Sequence, residues 1–447
     1  MSIKLFDYQL KCVNFIKDHF GLILYHFMGG GKTITSLIMA AQFDHPIIII
    51  CTKSSKKNFY DDIKKIHNLG ISNFKINLNN LSLENIQIIT YKKALSLILD
   101  VKMSFKNHTV IVDEAHHLRS STKLLSILMS ELLHAEKLIC CTGTLFYNSP
   151  IDICPLVNLI RKEEILPLTS KEFYFFYYDE NYDTVTNVDM FKNAIKNTIS
   201  YYKPNFENDP NYPKSTLEYR SVDMSNRQIS EYRYYVKKIL SLRNIQHIDY
   251  SIIDKRKANN FLSVTRQLSN TVDQSPDSPK IIEIFNYIKN ESPKTQTIVY
   301  SNFIGNGVLP LSIHLKKHNI SYQIFHGEQN EARRDTIINN YNDGIFQVLL
   351  MTSVGSESLD LKNTRVIHIM EPHWNESKTD QIIGRSIRYG SHSQLPLNER
   401  NVKIIYWYSV FGYKIPFESS DEYLIELSKK KAIIFNQFNE LIKKCSI

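Results

Sequence analysis

The stretch His26-Phe27-Met28-Gly29-Gly30-Gly31-Lys32-Thr33 stands between an apolar run, Leu22-Ile23-Leu24-Tyr25, and a segment from Ile34 to Ala41 whose apolar residues recur at helical spacing. The order is strand, glycine loop, helix. Three consecutive glycines leave the backbone without Cβ atoms, so its amides can turn toward a phosphate at the start of a helix, where the dipole also favours negative charge. Lys32 is then placed to reach the β and γ phosphates of a nucleotide, and Thr33 to ligate a magnesium ion. The pattern G-x-x-x-x-G-K-[ST] asks for glycine where this chain has His26, and Gly29, Gly30 and Gly31 supply the cradle beside the lysine. A plain glycine-rich turn before a helix is the other reading; Lys-Thr in register and the right flanks favour the phosphate loop.

The chain has 447 residues, enough for two or three domains each with its own core. A net charge of +9 and a pI near 8.9 lean toward a polyanionic partner. Cys12, Cys51, Cys140, Cys141, Cys154 and Cys445 are scattered without C-x-x-C or metal-type spacing, which fits reduced thiols in an intracellular, reducing compartment. No apolar stretch approaches the roughly 18 residues that span a bilayer. Met1 to Lys11 is too polar for a secretory signal, so a soluble protein with no membrane partner is expected.

Upstream of the loop, Leu5-Phe6-Asp7-Tyr8-Gln9 leads into a predicted helix from Gln9 to about His19. A glutamine amide donates and accepts together, matching the N6 and N7 edge of adenine, although a glutamine on a helix is more often solvated surface. Downstream, Pro46 to Cys51 has no polar alternation and suits a parallel strand covered on both faces. Thr52, Lys53, Ser54 and Ser55 follow at its carboxyl end, where they fit either nucleic-acid phosphates or a helix cap at Ser54 or Ser55. Ile86 to Tyr91 is the next strand, with Thr90 and Tyr91 at its end.

Val110-Ile111-Val112-Asp113-Glu114-Ala115-His116-His117 delivers two carboxylates side by side at the carboxyl edge of a strand, the edge at which open α/β sheets bind ligands. Asp113 would hold the magnesium through its water shell, and Glu114 would orient and polarise the attacking water. Lys137 to Cys141 forms a further strand ending in Thr142-Gly143-Thr144, followed by Leu145-Phe146-Tyr147-Asn148-Ser149-Pro150. Together Gln9, Gly29 to Thr33, Asp113-Glu114-Ala115-His116 and Thr142-Gly143-Thr144 resemble the first motor lobe of a superfamily-two helicase. The continuation to Asn148-Ser149 resembles its SWI/SNF-type branch. The resemblance implies that the first lobe holds ATP and that a second lobe completes the site.

Residues from about 160 to 275 carry no such motif. Phe173-Tyr174-Phe175-Phe176-Tyr177-Tyr178 could stack on unpaired bases, though such clusters more often pack. Tyr201 to Lys214, with Pro204, Pro210 and Pro213, reads as a loop crossing between lobes, and a charged helix is expected near Asn226 to Arg243. Ser275-Pro276-Asp277-Ser278-Pro279 marks a boundary, with Ser278 or Asp277 capping the next helix. Strands and helices then alternate again: Thr297 to Ser301, followed by Asn302-Phe303; Tyr322 to Phe325; Val348 to Met351; and Val366 to Met370. Thr352 to Leu361 resembles the family's motif that grips the nucleic-acid backbone and touches the nucleotide, with Ser353, Ser356 and Ser358 where a lysine and more glycines are usual. Nucleic-acid contacts are accordingly expected from Thr52, Lys53, Ser54, Thr90, Tyr91, Ser301, Asn302 and Thr352.

Gln381-Ile382-Ile383-Gly384-Arg385-Ser386-Ile387-Arg388 places residues 381, 385 and 388 on one helical face by i, i+4 and i+7 spacing. A planar guanidinium matches phosphate oxygens in a bidentate fork and stays charged. Delivered from the second lobe, Arg385 or Arg388 would stabilise charge on the transferring phosphoryl group, an effect worth about 10³ to 10⁵ in rate in other nucleotidases. A solvated basic helix face is the plainer alternative. Glu371-Pro372-His373-Trp374-Asn375, Tyr389-Gly390-Ser391-His392 and the run from Leu395-Pro396 to Arg400-Asn401-Val402 resemble the helicases of large cytoplasmic DNA viruses, among them the poxvirus nucleoside triphosphatase I and its giant-virus relatives.

The expected fold is α/β: two tandem RecA-like domains, each a mostly parallel sheet with helices on both faces, over residues 1–160 and 276–447, with a mainly helical segment over 161–275. The expected function is an ATP-dependent helicase or translocase that uses Mg2+, moves on DNA, and serves viral transcription or genome processing in the host cytoplasm or the virion. Its partners would be DNA and the viral transcription machinery. An RNA helicase is the enzyme alternative, and a non-catalytic nucleic-acid clamp or transcription-complex scaffold is the rival from another class. The residues assigned to catalysis are Lys32, Asp113, Glu114, Gln381, Arg385 and Arg388; those assigned to nucleotide are Gln9, Gly29, Gly30, Gly31, Lys32 and Thr33, with Thr33 and Asp113 on the metal.

Overall fold

The computed structural model describes residues 2–27, 29–119, 123–179, 183–206, 209–240, 250, 255–352, 359–373, 377–412 and 418–447. The chain divides into two compact units, one of Met1–Asn205 with Lys431–Ile447 and one of Phe206–Lys430.

In the first unit, β1 (Gly21–His26), β2 (Ile47–Cys51), β3 (Ile86–Thr90), β4 (Thr109–Asp113), β5 (Lys137–Thr142) and β8 (Ile199–Tyr202) pair in parallel in the order β3, β2, β4, β5, β1, β8. A small antiparallel pair, β6 (Tyr178–Asp179) and β7 (Thr184–Val185), stands apart. Parallel neighbours need crossovers, and helices supply them on both faces. One face carries α1 (Asp7–Phe15), α2 (Lys32–Ala40) and α3 (Ser55–Leu69), which pack Val13, Leu37 and Phe59 on Leu22, Leu24, Ile47, Ile49 and Ile111. The other carries α4 (Tyr91–Leu99), α5 (Lys123–Leu132), α6 (Cys154–Arg161), α7 (Ser170–Tyr177) and α8 (Val188–Ile195), set against Ile23, Tyr25, Ile48, Ile50, Val110 and Val112. Successive residues of one strand thus enter opposite cores, which is why these strands read as unbroken apolar runs. Because all six strands run the same way, the loops after β1, β2, β4 and β5 emerge at one edge of the sheet.

The second unit repeats the scheme. The strands β9 (Lys214–Asp223), β10 (Thr297–Tyr300), β11 (Tyr322–Phe325), β12 (Val348–Met351), β13 (Val366–Ile369) and β14 (Asn401–Val410) are parallel in the order β11, β12, β10, β13, β14, β9. Helices α11 (Pro279–Asn290) and α12 (Leu309–Lys317) pack on one face, and α13 (Glu331–Asn342) and α14 (Ser377–Ser386) on the other. A smaller core joins α9 (Asn226–Leu240), α10 (Lys255–Asn270) and the start of α15 (Ser420–Cys445) through Tyr232, Val236, Phe261 and Leu424.

Three expectations change. The segment expected over 161–275 is shared out between the units: α7, α8 and β8 complete the first, while β9, α9 and α10 belong to the second. The C-terminal residues return to the first unit, where Phe438, Leu441 and Ile442 join its core. Ser278 precedes α11 but makes no side-chain cap; its hydroxyl donates to the carbonyl of Asn270. The aromatic run does pack, with Phe173 and Tyr177 buried around Phe191 and Phe438, while Phe175 stays 79% exposed. Among the described residues no helix is long and apolar enough to cross a membrane.

Candidate active site

The glycine loop joins the end of β1 to the start of α2. Gly29 and Gly31 adopt φ +78° and +63°, and a Cβ on Gly31 would lie 2.6 Å from the Nε2 of Gln9. Only glycine lets the loop come that close to α1. Gln9 is 4% exposed, so the solvated-surface alternative does not hold. Its Oε1 accepts the Phe6 amide at 2.9 Å and its Nε2 donates to Thr35 Oγ1 at 2.9 Å, which locks the amide at the rim of the loop. Tyr8 Oη donates to the Gly30 carbonyl at 3.1 Å, and its ring stacks on Tyr202 with centroids 3.5 Å apart. His26 takes the patterned glycine's place as a packed core residue, fully buried, with Nε2 3.0 Å from Ser200 Oγ. Burial, helped by nearby Lys32, pushes its pKa down to about 3, so the ring is neutral. Lys32 Nζ donates to the His26 carbonyl at 2.8 Å. A Cβ on Gly143, in the loop after β5, would lie 3.6 Å from the same ammonium.

Asp113 ends β4, the strand beside β5. Burial and the adjacent Glu114 push the Asp113 carboxyl up to about 6, against a Ser55 hydrogen bond and the Lys32 charge. Glu114 holds a left-handed backbone at φ +50°. Its Oε2 lies 3.2 Å from His116 Nδ1, and that nitrogen is also 3.2 Å from Thr142 Oγ1. Thr142 Oγ1 donates to the Thr144 carbonyl at 2.7 Å, so it accepts from His116, and the imidazole links Glu114 to the loop after β5. The ring of His116 stacks on Tyr147, and the Arg119 guanidinium lies 3.9 Å from the Tyr147 centroid.

Asp113 and Glu114 stand side by side here, with Asp113 raised by burial and by Glu114 and lowered in part by the Lys32 charge. A divalent cation beside Asp113 would favour its ionised form. Open space where a Gly29 Cβ would sit, loop amides ahead of α2 and the Lys32 ammonium suit phosphate oxygens, and Thr33 with Asp113 can hold the cation.

In the second unit, α14 ends at Ser386, so the helical face expected to continue to residue 388 stops short. Gln381 and Arg385 lie on the helix, half-buried. Arg388 lies beyond it and folds back, its Nε donating to the Gly384 carbonyl at 3.1 Å and its Nη1 3.8 Å from Asp360 Oδ1.

Residues 8–276 match the SNF2-related domain, and residues 279–390 match the helicase conserved C-terminal domain. The chain belongs to the SNF2-related helicases. A protein of Acanthamoeba polyphaga mimivirus that carries the name of an ATP-dependent RNA helicase is 44% identical, over 100% of this chain and 98% of its own length. The termination factor NPH-I homolog of African swine fever virus (isolate Tick/South Africa/Pretoriuskop Pr4/1996) is 24% identical over 96% of this chain and 76% of its own. Nucleoside triphosphatase I of Melanoplus sanguinipes entomopoxvirus is 25% identical over 95% and 75%. Among solved structures, the Pyrococcus furiosus Hef helicase domain superposes with a TM-score of 0.52 at 15% identity, covering 94% of this chain and 97% of that one, and shares the fold of two tandem RecA-like domains. As an SNF2-related helicase, the chain is a nucleic-acid-dependent ATPase whose relatives are viral proteins.

Several residues expected on the helicase's nucleic-acid track point elsewhere. Thr52 turns toward the start of α3: its hydroxyl accepts the Ser55 amide at 3.2 Å and lies 2.9 Å from Ser54 Oγ, while Ser54, at the N-cap position, makes no side-chain cap. Lys53 is exposed beside it. Thr90 caps α4 by accepting the Lys93 amide at 3.3 Å. Tyr91 turns inward, its hydroxyl donating to the Asp113 carbonyl at 2.7 Å. Ser301 is fully buried and donates to Glu371 at 2.9 Å, and the Asn302 amide donates to the same carboxylate at 2.6 Å. Ser301 therefore serves an internal acid and presents no group to a strand. Thr352 is 4% exposed at the end of β12, and Ser353, Ser356, Ser358, Trp374 and Asn375 lie outside the described residues.

What the sequence reading missed is the set of charges behind Ser301. Glu371, at the carboxyl end of β13, also accepts from Asn270 Nδ2 at 2.8 Å and lies 3.9 Å from Arg266. Lys280 reaches Asn270 Oδ1 at 3.0 Å and Asp421 Oδ2 at 2.7 Å. All four charged groups are buried. One available signal was a lone lysine within the apolar run Pro279-Lys280-Ile281-Ile282, which marks either a surface face or a buried pair.

Proposed function

We propose that the protein is an ATP-driven translocase on DNA that serves viral transcription in the host cytoplasm or the virion. In this reading the glycine loop and Lys32 hold the β and γ phosphates, Gln9 reads the adenine edge, and Thr33 and Asp113 hold Mg2+, whose role is to neutralise phosphate charge. Glu114 polarises the attacking water, and His116 reports its state to the Thr142-Gly143-Thr144 loop. Gln381, Arg385 and Arg388 of the second unit act on the γ phosphate, so ATP favours a closed form and hydrolysis releases it. Lys53 remains an exposed candidate for a backbone phosphate.

The observation that supports this above all is the convergence of Lys32, Asp113, Glu114 and Gly143 on one edge of the first sheet, from three separate strands. A clamp that merely held nucleic acid would have no use for a glutamate tied to a second loop through a histidine. The name of the African swine fever virus relative, a termination factor, supports the placement in transcription. A second reading, an RNA-directed helicase, is favoured by the name of the mimivirus relative. Phosphate release measured alone and with single-stranded DNA, duplex DNA and RNA separates the two. DNA is expected to stimulate most; stimulation by RNA alone would select the second reading, and equal rates in every arm would sink both.

A further inference from the structure

Glu114 is a residue with a Cβ held at φ +50°. Side chains rarely adopt that backbone, and it persists only where the surroundings over-determine it. Against this turn stands Tyr91, the first residue of α4. Its hydroxyl donates to the Asp113 carbonyl at 2.7 Å and lies 3.2 Å from the Glu114 carbonyl. One phenol thus spans the carbonyl oxygens on both sides of the left-handed residue. The ring itself is fixed, packed on the first unit's core and edge-on to His117 with centroids 5.5 Å apart. Downstream, the Glu114 carbonyl also accepts the His117 amide at 3.0 Å, so the turn is tied from both ends.

We infer that Tyr91 is a positioning residue for hydrolysis: its hydroxyl holds the strained Asp113-Glu114 turn in the one backbone state that aims the Glu114 carboxylate. This rests on the reading of Glu114 as the group that polarises water. A turn freed to relax to negative φ would swing the Cα–Cβ bond of Glu114, moving its carboxylate away from His116 as well as from the reacting water. The glycine loop follows β1, and Lys32 and Thr33 open α2, so they would keep their hold on nucleotide. Tyr91 accordingly faces inward, while its neighbour Thr90 caps α4.

The test is Tyr91→Phe in the full chain, which deletes one oxygen and keeps the ring. Steady-state ATP hydrolysis in saturating DNA is expected to lose about ten- to hundredfold in kcat, the scale of a misplaced catalytic group, with KM for ATP changed less than about twofold. Glu114→Gln is run in parallel. If it keeps turnover, the reading of Glu114 itself fails; if it loses turnover while Tyr91→Phe stays within about twofold of the parent, only the positioning role fails. A KM that rises in step with the fall in kcat/KM would also overturn the role. Single-turnover hydrolysis of the double variant guards against a general loss of folding. Positioning through Glu114 predicts no further loss beyond Glu114→Gln alone, and an added loss would refute it.

Discussion

The ammonium of Lys32 donates to the carbonyl oxygen of His26, so the lysine of the phosphate loop rests against the residue that replaces the loop's patterned glycine. In the proposed site, nucleotide would exchange that carbonyl for phosphate oxygens, adding a charged acceptor to a donor that is already ionised. Lys32→Ala is expected to remove ATP turnover while leaving thermal unfolding close to the parent, because the ammonium serves no apolar core. Phosphate release and a melting curve on the same sample check it. Substantial turnover by the alanine variant would take the loop out of the active site.

Restoring the patterned glycine is expected to harm the protein. His26 fills a closed space between Ser200, Tyr8 and Tyr202, with ring centroids 5.4 and 5.9 Å away on the two tyrosines. His26→Gly leaves a cavity and frees a strand backbone, at a combined cost of about 2–5 kcal/mol. Denaturant unfolding measures this directly. Stability within about 1 kcal/mol of the parent would mean that the ring is dispensable, a cost at the level of ordinary surface changes.

Gly29 to Thr33 and Asp113-Glu114 stood out as one candidate site because phosphate and metal chemistry demands particular residue types at fixed spacing. β1, β2 and β4 were legible because burial on both faces leaves unbroken apolar runs. β9 was not: an edge strand with one neighbour tolerates Lys214, Thr216, Glu218 and Arg220, and its first residue falls at the end of the expected crossing loop. Arg388 was placed by extending a helical period beyond Ser386, where the guanidinium in fact ties back to the last turn. Ser301 and Tyr91 show the deeper limit. A hydroxyl at a strand's carboxyl end looks the same whether it faces a ligand or a buried acid 70 residues away in the chain.

Lys280 and Asp421 form a buried pair at 2.7 Å, with Asp421 also accepting the Ser409 amide at 2.9 Å. Lys280→Met leaves a carboxylate without its cation and is expected to destabilise the second unit by about 3–5 kcal/mol. Lys280→Met with Asp421→Leu removes both charges and is expected to recover a large part of that loss. Denaturant unfolding of both single variants and the double variant closes the cycle. A double variant no better than Lys280→Met would show that the pair's value lies in its hydrogen bonds to Asn270 and Ser409.

Arg388 lies past α14 with a partly desolvated guanidinium, its pKa lowered by burial and supported by Asp360. Arg388→Ala is expected to cut kcat by about 10³ with little change in KM for ATP, the signature of a contact made in the transition state. Full activity in this variant would reassign the role to Arg385.

His368 is fully buried on β13, and its Nδ1 accepts the Trp407 indole N–H at 3.0 Å. Burial, with the charge of Arg220 adding to it, lowers its pKa from 6.5 to about 3. Above pH 6.5 neither the folded nor the unfolded chain protonates this ring, and its contribution is complete. As pH falls from there toward the folded value, the unfolded chain takes up a proton that the folded chain refuses, so stability drops by up to about 1.4 kcal/mol per pH unit. Unfolding free energies at pH 7.5, 6 and 5 are therefore expected to decline more steeply in the parent than in His368→Gln, which cannot titrate. The glutamine variant starts lower, having lost the ring, but its slope is shallower by as much as one proton. Parallel slopes in the two proteins would mean that His368 protonates in the folded state, and that its bond from Trp407 does not hold the ring neutral.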